Sequence, residues 1–202
     1  MSKIRFTEPN REILARRDSI INDLTRLVDP AGLITSTDEC RAYETDALTA
    51  YRKMPLAVVL PKTTEEVSAV LKYCHDTGVK VVPRGAGTSL AGGAIPSEDA
   101  VVLGLSKMNR VLAVNYDDRF IRVEAGVTNL SVTAVVAENG FFYAPDPSSQ
   151  LACTIGGNIA NNSGGAHCLK YGVTTNNLLG VRMVLIDGSI IDLGGDYLDS
   201  AG

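Results

Sequence analysis

Histidine is almost missing from this 202-residue chain: His75 and His167 are the two, so several imidazoles cannot meet on one metal ion. Cysteine is nearly as scarce. Cys40, Cys74, Cys153 and Cys168 lie far apart, form no Cys-x-x-Cys pair and lack zinc-ligand spacing, so they read as reduced thiols of a cytoplasmic protein. No apolar run approaches the roughly 18 residues of a membrane span. Met1-Ser2-Lys3-Ile4-Arg5-Phe6 leads into charged residues without an apolar signal core, which leaves the Asn-x-Ser matches at Asn129 and Asn161 without weight. Basic runs are lacking too. Lys plus Arg total 19 against 23 Asp plus Glu, a net charge of -4, so nucleic acid is not an expected partner.

What is present suits a globular protein, with 45% hydrophobic and 21% charged residues. Ile13, Leu14, Ile20, Ile21, Leu24, Leu27 and Val28 recur at roughly helical spacing, which predicts an amphipathic leading helix that Asp29-Pro30 stops. Residues 1–50 read as a leading helical segment. Ala57-Val58-Val59-Leu60 then predicts a buried strand, Thr63 with Glu66 a capping box, and a helix runs to His75 before Gly78 stops it. The imidazole of His75 would meet the last carbonyls of that helix. Val79 to Val82 is a second strand, so residues 57–82 form a strand-helix-strand unit with parallel strands. A third strand is expected over 100–105 and a hairpin over 110–125, turned at Asp117-Asp118. Thr128 is placed to cap a helix through Asn139, and a last hairpin, 181–186 and 189–193, is joined by Asp187-Gly188.

Directly after the second strand comes Pro83-Arg84-Gly85-Ala86-Gly87-Thr88-Ser89-Leu90-Ala91-Gly92-Gly93. Ordering so many glycines is entropically costly and calls for special backbone angles or a ligand. Glycines let successive N–H groups converge on an anion, and a diphosphate fits that chemistry. Leu90 stands where the Rossmann fingerprint needs its third glycine, and Gly93-Ala94 replace the Lys and Ser/Thr of a Walker loop. A glycine-rich turn with no ligand stays open as the plainer reading.

A second unusual stretch spans 144–172. Thr154 is a candidate N-cap for a short helix through Asn161, and Gly156 and Gly157 in its first turn would leave N–H groups open to a second phosphate contact. Small residues and amides there suit a flat heterocycle lying against the backbone. An asparagine-rich surface loop is the alternative.

The pair of motifs, Pro-Arg-Gly-x-Gly-Thr-x-Leu-x-Gly-Gly and Pro-Asp-Pro-Ser-Ser followed by Thr-Ile-Gly-Gly-Asn-x-Ala-x-Asn, resembles the FAD-binding domain of the vanillyl-alcohol oxidase and p-cresol methylhydroxylase type. Within it, the chain is most similar to the FAD-binding subunit of glycolate oxidase and to D-lactate and D-2-hydroxyglutarate dehydrogenases. The likeness covers roughly residues 35–200, including Tyr43-Glu44-Thr45-Asp46, Tyr51-Arg52 and His167-Cys168-Leu169-Lys170-Tyr171-Gly172. It implies a two-lobed α+β domain over 51–202, with a small parallel sheet and helices (57–108) and a larger, mainly antiparallel sheet (109–202). FAD would lie between the lobes.

By the same resemblance, Arg84, Gly85, Ala86, Gly87, Thr88 and Ser89 would hold the pyrophosphate, and Pro83, Gly92 and Gly93 would also belong to the cofactor site. Pro145, Asp146, Ser149, Thr154, Gly156, Gly157, Asn158, Asn161 and Gly164 would line the flavin and adenosine, with Tyr171 and Gly172 closing near the ring. His167 and Lys170 would either face the flavin edge or serve local structure. Covalent members often carry histidine in the first loop, where this chain has Gly87-Thr88-Ser89, so dissociable FAD is expected. Such proteins continue into a further flavin segment, a cap domain and a closing piece. This sequence ends at Gly202, so a second lobe cut short before the cap is expected, with the groups that bind the 2-hydroxy acid and take its proton coming from the cap side. An iron–sulfur subunit and a second flavoprotein-like subunit are the expected partners, with a cytoplasmic location, peripheral at the inner membrane. The alternatives are another FAD enzyme of the same fold, such as an amino-sugar reductase or ether-lipid synthase, and a non-catalytic flavin-binding or subunit-contact module.

Overall fold

The computed structural model describes residues 7–195. The leading segment forms two helices, α1 (Arg11–Ala15) and α2 (Arg17–Leu24), rather than one, because the chain turns at Arg16 (φ -94°, ψ 7°). Then follow a two-residue strand β1 (Leu33–Ile34), helix α3 (Thr37–Cys40), strand β2 (Ala57–Val59), helix α4 (Thr64–Thr77) and strands β3 (Lys80–Arg84) and β4 (Ala100–Gly104). The order across the sheet is β1-β2-β4-β3, with β2 and β3 both parallel to β4 and β1 antiparallel to β2. The parallel unit expected over 57–82 therefore has β4 inserted between its two strands.

All residues of β2 and β4 are buried, as expected of inner parallel strands covered on both faces. Alternation sorts them. Ala57, Val59, Val101 and Leu103 join Ile20, Leu24, Val67, Val70 and Leu71 in the main core, whereas Val58 and Val102 pack with Cys40 and Leu60 on the other face. Ile13, Ile20, Leu24 and Val28 belong to that main core, so the leading helices pack into the first lobe. Pro83 is tolerated within β3 because β3 is an edge strand and one side of it makes no ladder bonds.

The Thr63 hydroxyl accepts from the Glu66 N–H, but the Glu66 carboxylate reaches back to the Lys62 N–H instead of that of Thr63. α4 runs two residues past His75 and ends at Gly78, whose φ of 73° is the left-handed stop.

Beyond residue 109 come strands β5 (Val111–Asn115) and β6 (Phe120–Val123), helix α5 (Asn129–Val136), short helices α6 (Ile155–Asn161) and α7 (Cys168–Tyr171), and strands β7 (Gly180–Val184) and β8 (Ile190–Gly194). Both hairpins turn where expected, at 116–119 and at Asp187-Gly188. The class is α+β. Among the described residues, however, the antiparallel half is two separate two-stranded sheets, not one larger sheet. Thr128 precedes α5 without capping it, since its hydroxyl pairs with that of Ser131.

One buried carboxylate ties the first lobe to its N-terminal segment. Asp99, 1% exposed, accepts from the Asn10 N–H (2.8 Å) and the Ser97 hydroxyl (2.6 Å) and pairs with Lys80 on β3 (2.8 Å). Burial alone would raise its pKa, but the Lys80, Ser97 and Asn10 hydrogen bonds outweigh burial and bring it down to about 2. A depressed acid stabilises the fold above its unfolded pKa and loses that contribution as pH falls toward the folded one. Urea unfolding at pH 6, 4 and 3 is expected to show a drop of about 0.8 kcal/mol across the lower interval that Asp99→Asn no longer shows. Equal slopes in parent and variant would remove Asp99 as the acid-sensitive tie.

Candidate functional site

The first glycine-rich loop leaves β3 at its C-terminal end, directly after Arg84. Among the described residues, none accepts from the backbone N–H of Gly85, Ala86, Gly87, Thr88, Ser89 or Leu90. In this partly exposed loop those successive donors are left to water or to a ligand. The Gly87 carbonyl is the opposite case: it accepts from the Ala47 N–H at 2.9 Å. Because a trans peptide holds C=O and the next N–H on opposite sides, that bond turns the Thr88 N–H away from residues 43–48.

Arg84 is not among the groups that face outward. Its Nη1 donates to the Thr45 carbonyl at 2.7 Å and its guanidinium carbon lies 5.5 Å from the Tyr43 ring centroid. Gly87, at φ 72°, passes directly over it, and a Cβ there would fall onto Nη2. Arg84 Nη1 thus supports the loop from beneath. Ser89 is partly committed as well, accepting from the Ala91 N–H at 3.2 Å and lying 3.4 Å from Asn161 Oδ1. Gly92, at φ 76°, makes the exit turn, and a Cβ on Gly93 would meet nothing within 4 Å. Pro83 is exposed on the edge strand.

The second stretch comes up against the first. A Cβ on Gly85 would lie 2.5 Å from Thr154 Oγ1 and 3.6 Å from Gly157 Cα, so the two glycine-rich segments touch. Thr154 caps α6 by accepting from the Gly157 N–H (3.3 Å). The open N-terminus expected of this helix is closed. Residues 125–127 run across it, taking the Ile155 N–H on the Val127 carbonyl and the Gly156 N–H on the Ala125 carbonyl, each at 2.9 Å. Gly156 serves this approach, since a Cβ would sit 2.8 Å from the Ala125 Cβ. Asn161 bonds back to the Gly157 carbonyl, while Asn158 is 1% exposed with its Nδ2 lacking any protein partner.

The loop at 145–149 packs on α5: the Pro145 carbonyl accepts from Asn129 Nδ2, and the Ser149 carbonyl turns the chain by accepting from Ala152 and Cys153. Asp146 is occupied by His167, taking its N–H on Oδ1 (3.1 Å) and facing its Nδ1 with Oδ2 (2.6 Å). The His167 N–H, and then the ring, hold the Asp146 carboxyl below its usual pKa. His167 therefore braces its own loop. Gly164 leaves room for Cys168 and Gly172 (φ 76°) for Asn176, while Tyr171 stacks edge-on against Phe142 with Lys170 5.0 Å from its centroid. Residues 43–47, which prop the loop, had no assigned role in the sequence. The one signal was their place in the resemblance.

A row of free amides backed by a half-buried guanidinium, against a glycine-lined helix, has the chemistry to receive a phosphate-bearing ligand. The family model described as "FAD binding domain" matches residues 55–194, and the chain belongs to that family. It is 48% identical over 186 residues to the glycolate oxidase subunit GlcD of Escherichia coli (strain K12), covering 92% of this chain and 37% of that protein. The D-lactate dehydrogenase of Archaeoglobus fulgidus is 39% identical over 91% of the chain and 40% of its own length. The D-2-hydroxyglutarate dehydrogenase of Stutzerimonas stutzeri is 31% identical over 91% and 39%. The chain thus spans about 37–40% of the length of these relatives. Solved structures of alkyldihydroxyacetonephosphate synthase (TM-score 0.80, 22% identity, 98% of this chain and 37% of that one) and p-cresol methylhydroxylase (0.75, 20%, 96% and 38%) share the fold.

The residues present fit FAD, because the cradle at 85–90 supplies donors and no carboxylate where a diphosphate would lie. If the contact between the stretches sets this geometry, Gly85→Ala should lower stability by about 1–3 kcal/mol, as overpacking against Thr154 does in a filled site. Gly93→Ala, facing open space, should change it by less than about 0.5 kcal/mol. Chemical denaturation of both variants checks this; similar losses would contradict the contact.

Proposed function

We propose that this chain is the FAD-holding part of a flavin-dependent 2-hydroxy-acid dehydrogenase or oxidase of the glycolate or D-lactate type. The six unpartnered amides at 85–90, in a chain 48% identical to a glycolate oxidase subunit, carry the reading. The hydride acceptor for oxidation of the substrate's carbinol carbon would be supplied by bound FAD, at N5.

In this reading the N–H groups of Gly85 to Leu90 and the Thr88 hydroxyl bind the pyrophosphate, with Arg84 contributing charge from below. The lobes at 57–108 and 109–202 meet at Gly85 and Thr154, which fixes the distance between the two sides of the cradle. The α6 segment at Gly156, Gly157 and Asn158 would back the cofactor, with the buried Asn158 Nδ2 as its spare donor. Gly164, Tyr171 and Gly172 close it, and the Asp146–His167 brace keeps that loop in place. Loop 83–93 has no nucleophile of the histidine kind and His167 is engaged by Asp146, which supports dissociable FAD.

Two histidines, and no cluster of three or more His, Cys, Asp or Glu among the described residues, support placing the substrate carboxylate site and the base elsewhere than in this chain. The hydroxy acid would reach the flavin from a cap domain. An iron–sulfur subunit and a second flavoprotein-like subunit would take part, since the 48% identical relative is by name a subunit. No helix among the described residues is long and apolar enough to cross a membrane, which fits a cytoplasmic protein held peripherally through such partners.

With FAD at about 100 times its Kd, Tm should rise by roughly 5–10 °C, and Gly87→Glu, which puts a side chain and a negative charge over Arg84, should abolish the shift. An equal shift in both proteins would remove loop 85–90 from the site. Acid precipitation of the loaded protein should leave the yellow colour in solution; colour in the pellet would mean a covalent bond. Dye reduction with glycolate or D-lactate should be absent from these 202 residues alone, and its appearance would place the substrate groups within them.

A further inference from the structure

Asp46 is a buried carboxylate with spare capacity. It is 4% exposed, its Oδ1 accepts from the Leu48 N–H at 2.9 Å, and its Oδ2 has no hydrogen-bond partner. A buried charge left without compensation is costly, so a nearby opposite charge is expected. Its two chain neighbours both grip the first glycine loop: Thr45 through its carbonyl on Arg84 Nη1, and Ala47 through its N–H on the Gly87 carbonyl. Asp46 thus sits between the two tethers of the cradle, next in sequence to the carbonyl that holds the half-buried Arg84 guanidinium. Burial lowers the pKa of Arg84, while Tyr43 and Asp46 act against it. Asp46 and Arg84 form no ion pair within 4 Å, so the coupling acts through space rather than through contact.

We propose that Asp46 is a positioning residue for the pyrophosphate cradle: its charge holds the Arg84 guanidinium beneath Gly87, so loop 85–90 has its anion-binding shape before a ligand arrives. The inference rests on the reading of that loop as the pyrophosphate site. Asp46 itself touches no ligand. Its negative charge would repel a phosphate at close range, yet removing it frees a half-buried guanidinium to swing toward water, and Gly87 then loses its floor.

The test uses the 202-residue chain with FAD as probe. Asp46→Asn keeps an acceptor for the Leu48 N–H but replaces the free carboxylate charge with a neutral amide. It is expected to raise the FAD Kd about 10-fold, in line with coupling energies of 1–3 kcal/mol between linked sites. Arg84→Gln should weaken FAD comparably. The double variant should be no weaker than the weaker single one, because both substitutions dismantle the same support. A merely structural Asp46 would give losses that add. Unchanged affinity in Asp46→Asn, or additive losses, would overturn the proposal. A parent that binds no FAD would instead overturn the proposed function. The same four proteins compared by urea unfolding without ligand then decide the pair: non-additive stabilities sustain it and additive ones end it. Should Asp46→Asn fail to fold, the cycle is run with Asp46→Glu, which keeps the charge and is expected to retain affinity within about 3-fold, against a 10-fold loss if charge plays no part.

Discussion

Backbone comes closer to its neighbours than a Cβ permits, and the site depends on that approach. Gly85 faces the Thr154 hydroxyl, Gly156 faces Ala125, and Gly87 lies on the Arg84 guanidinium. Each of these three contacts excludes even a methyl group. Glycine's absence of Cβ matters here less for flexibility than for distance, because three segments far apart in sequence must share one small volume. The result is a cradle whose walls are backbone and whose donors are main-chain amides, a surface that recognises charge and shape rather than a particular side chain.

The rest of the fold serves to hold these segments still. Inner strands β2 and β4 are buried on both faces, so the end of neighbouring β3, where the cradle begins, is fixed by a core that reaches back to Ile13 and Ile20. On the other side, α5 is stitched to the 145–153 loop through Asn129, which carries α6 into position. The β7–β8 hairpin docks its turn on α4, where the Ser68 hydroxyl donates to the Gly188 carbonyl. The segments on either side of the cradle are therefore joined at several places besides it.

The hydrogen-bond inventory separates the two glycine-rich stretches, although they look alike in composition. In the first, six amides are free. In the second, the amides at the start of α6 are all taken, by Val127, Ala125 and Thr154. One stretch offers donors to a ligand and the other offers a smooth, close-packed wall.

Local patterns wrote much of this protein into its sequence. The capping threonine and left-handed glycine of α4, the hairpin turn at Asp187-Gly188, the alternation that buries β2 and β4 and the glycine spacing of loop 83–93 all act within a few residues, so they are legible without coordinates. The two motifs in order also sufficed for the family. Contacts between distant segments were settled only by tertiary structure: that 125–127 would close the start of α6, that Arg84 would turn under its loop toward Thr45, and that Asp146 would be spent on His167. The reason is physical. Whether a polar group is free for a ligand depends on who else can reach it, and that is decided by packing across tens of residues, not by the residues beside it.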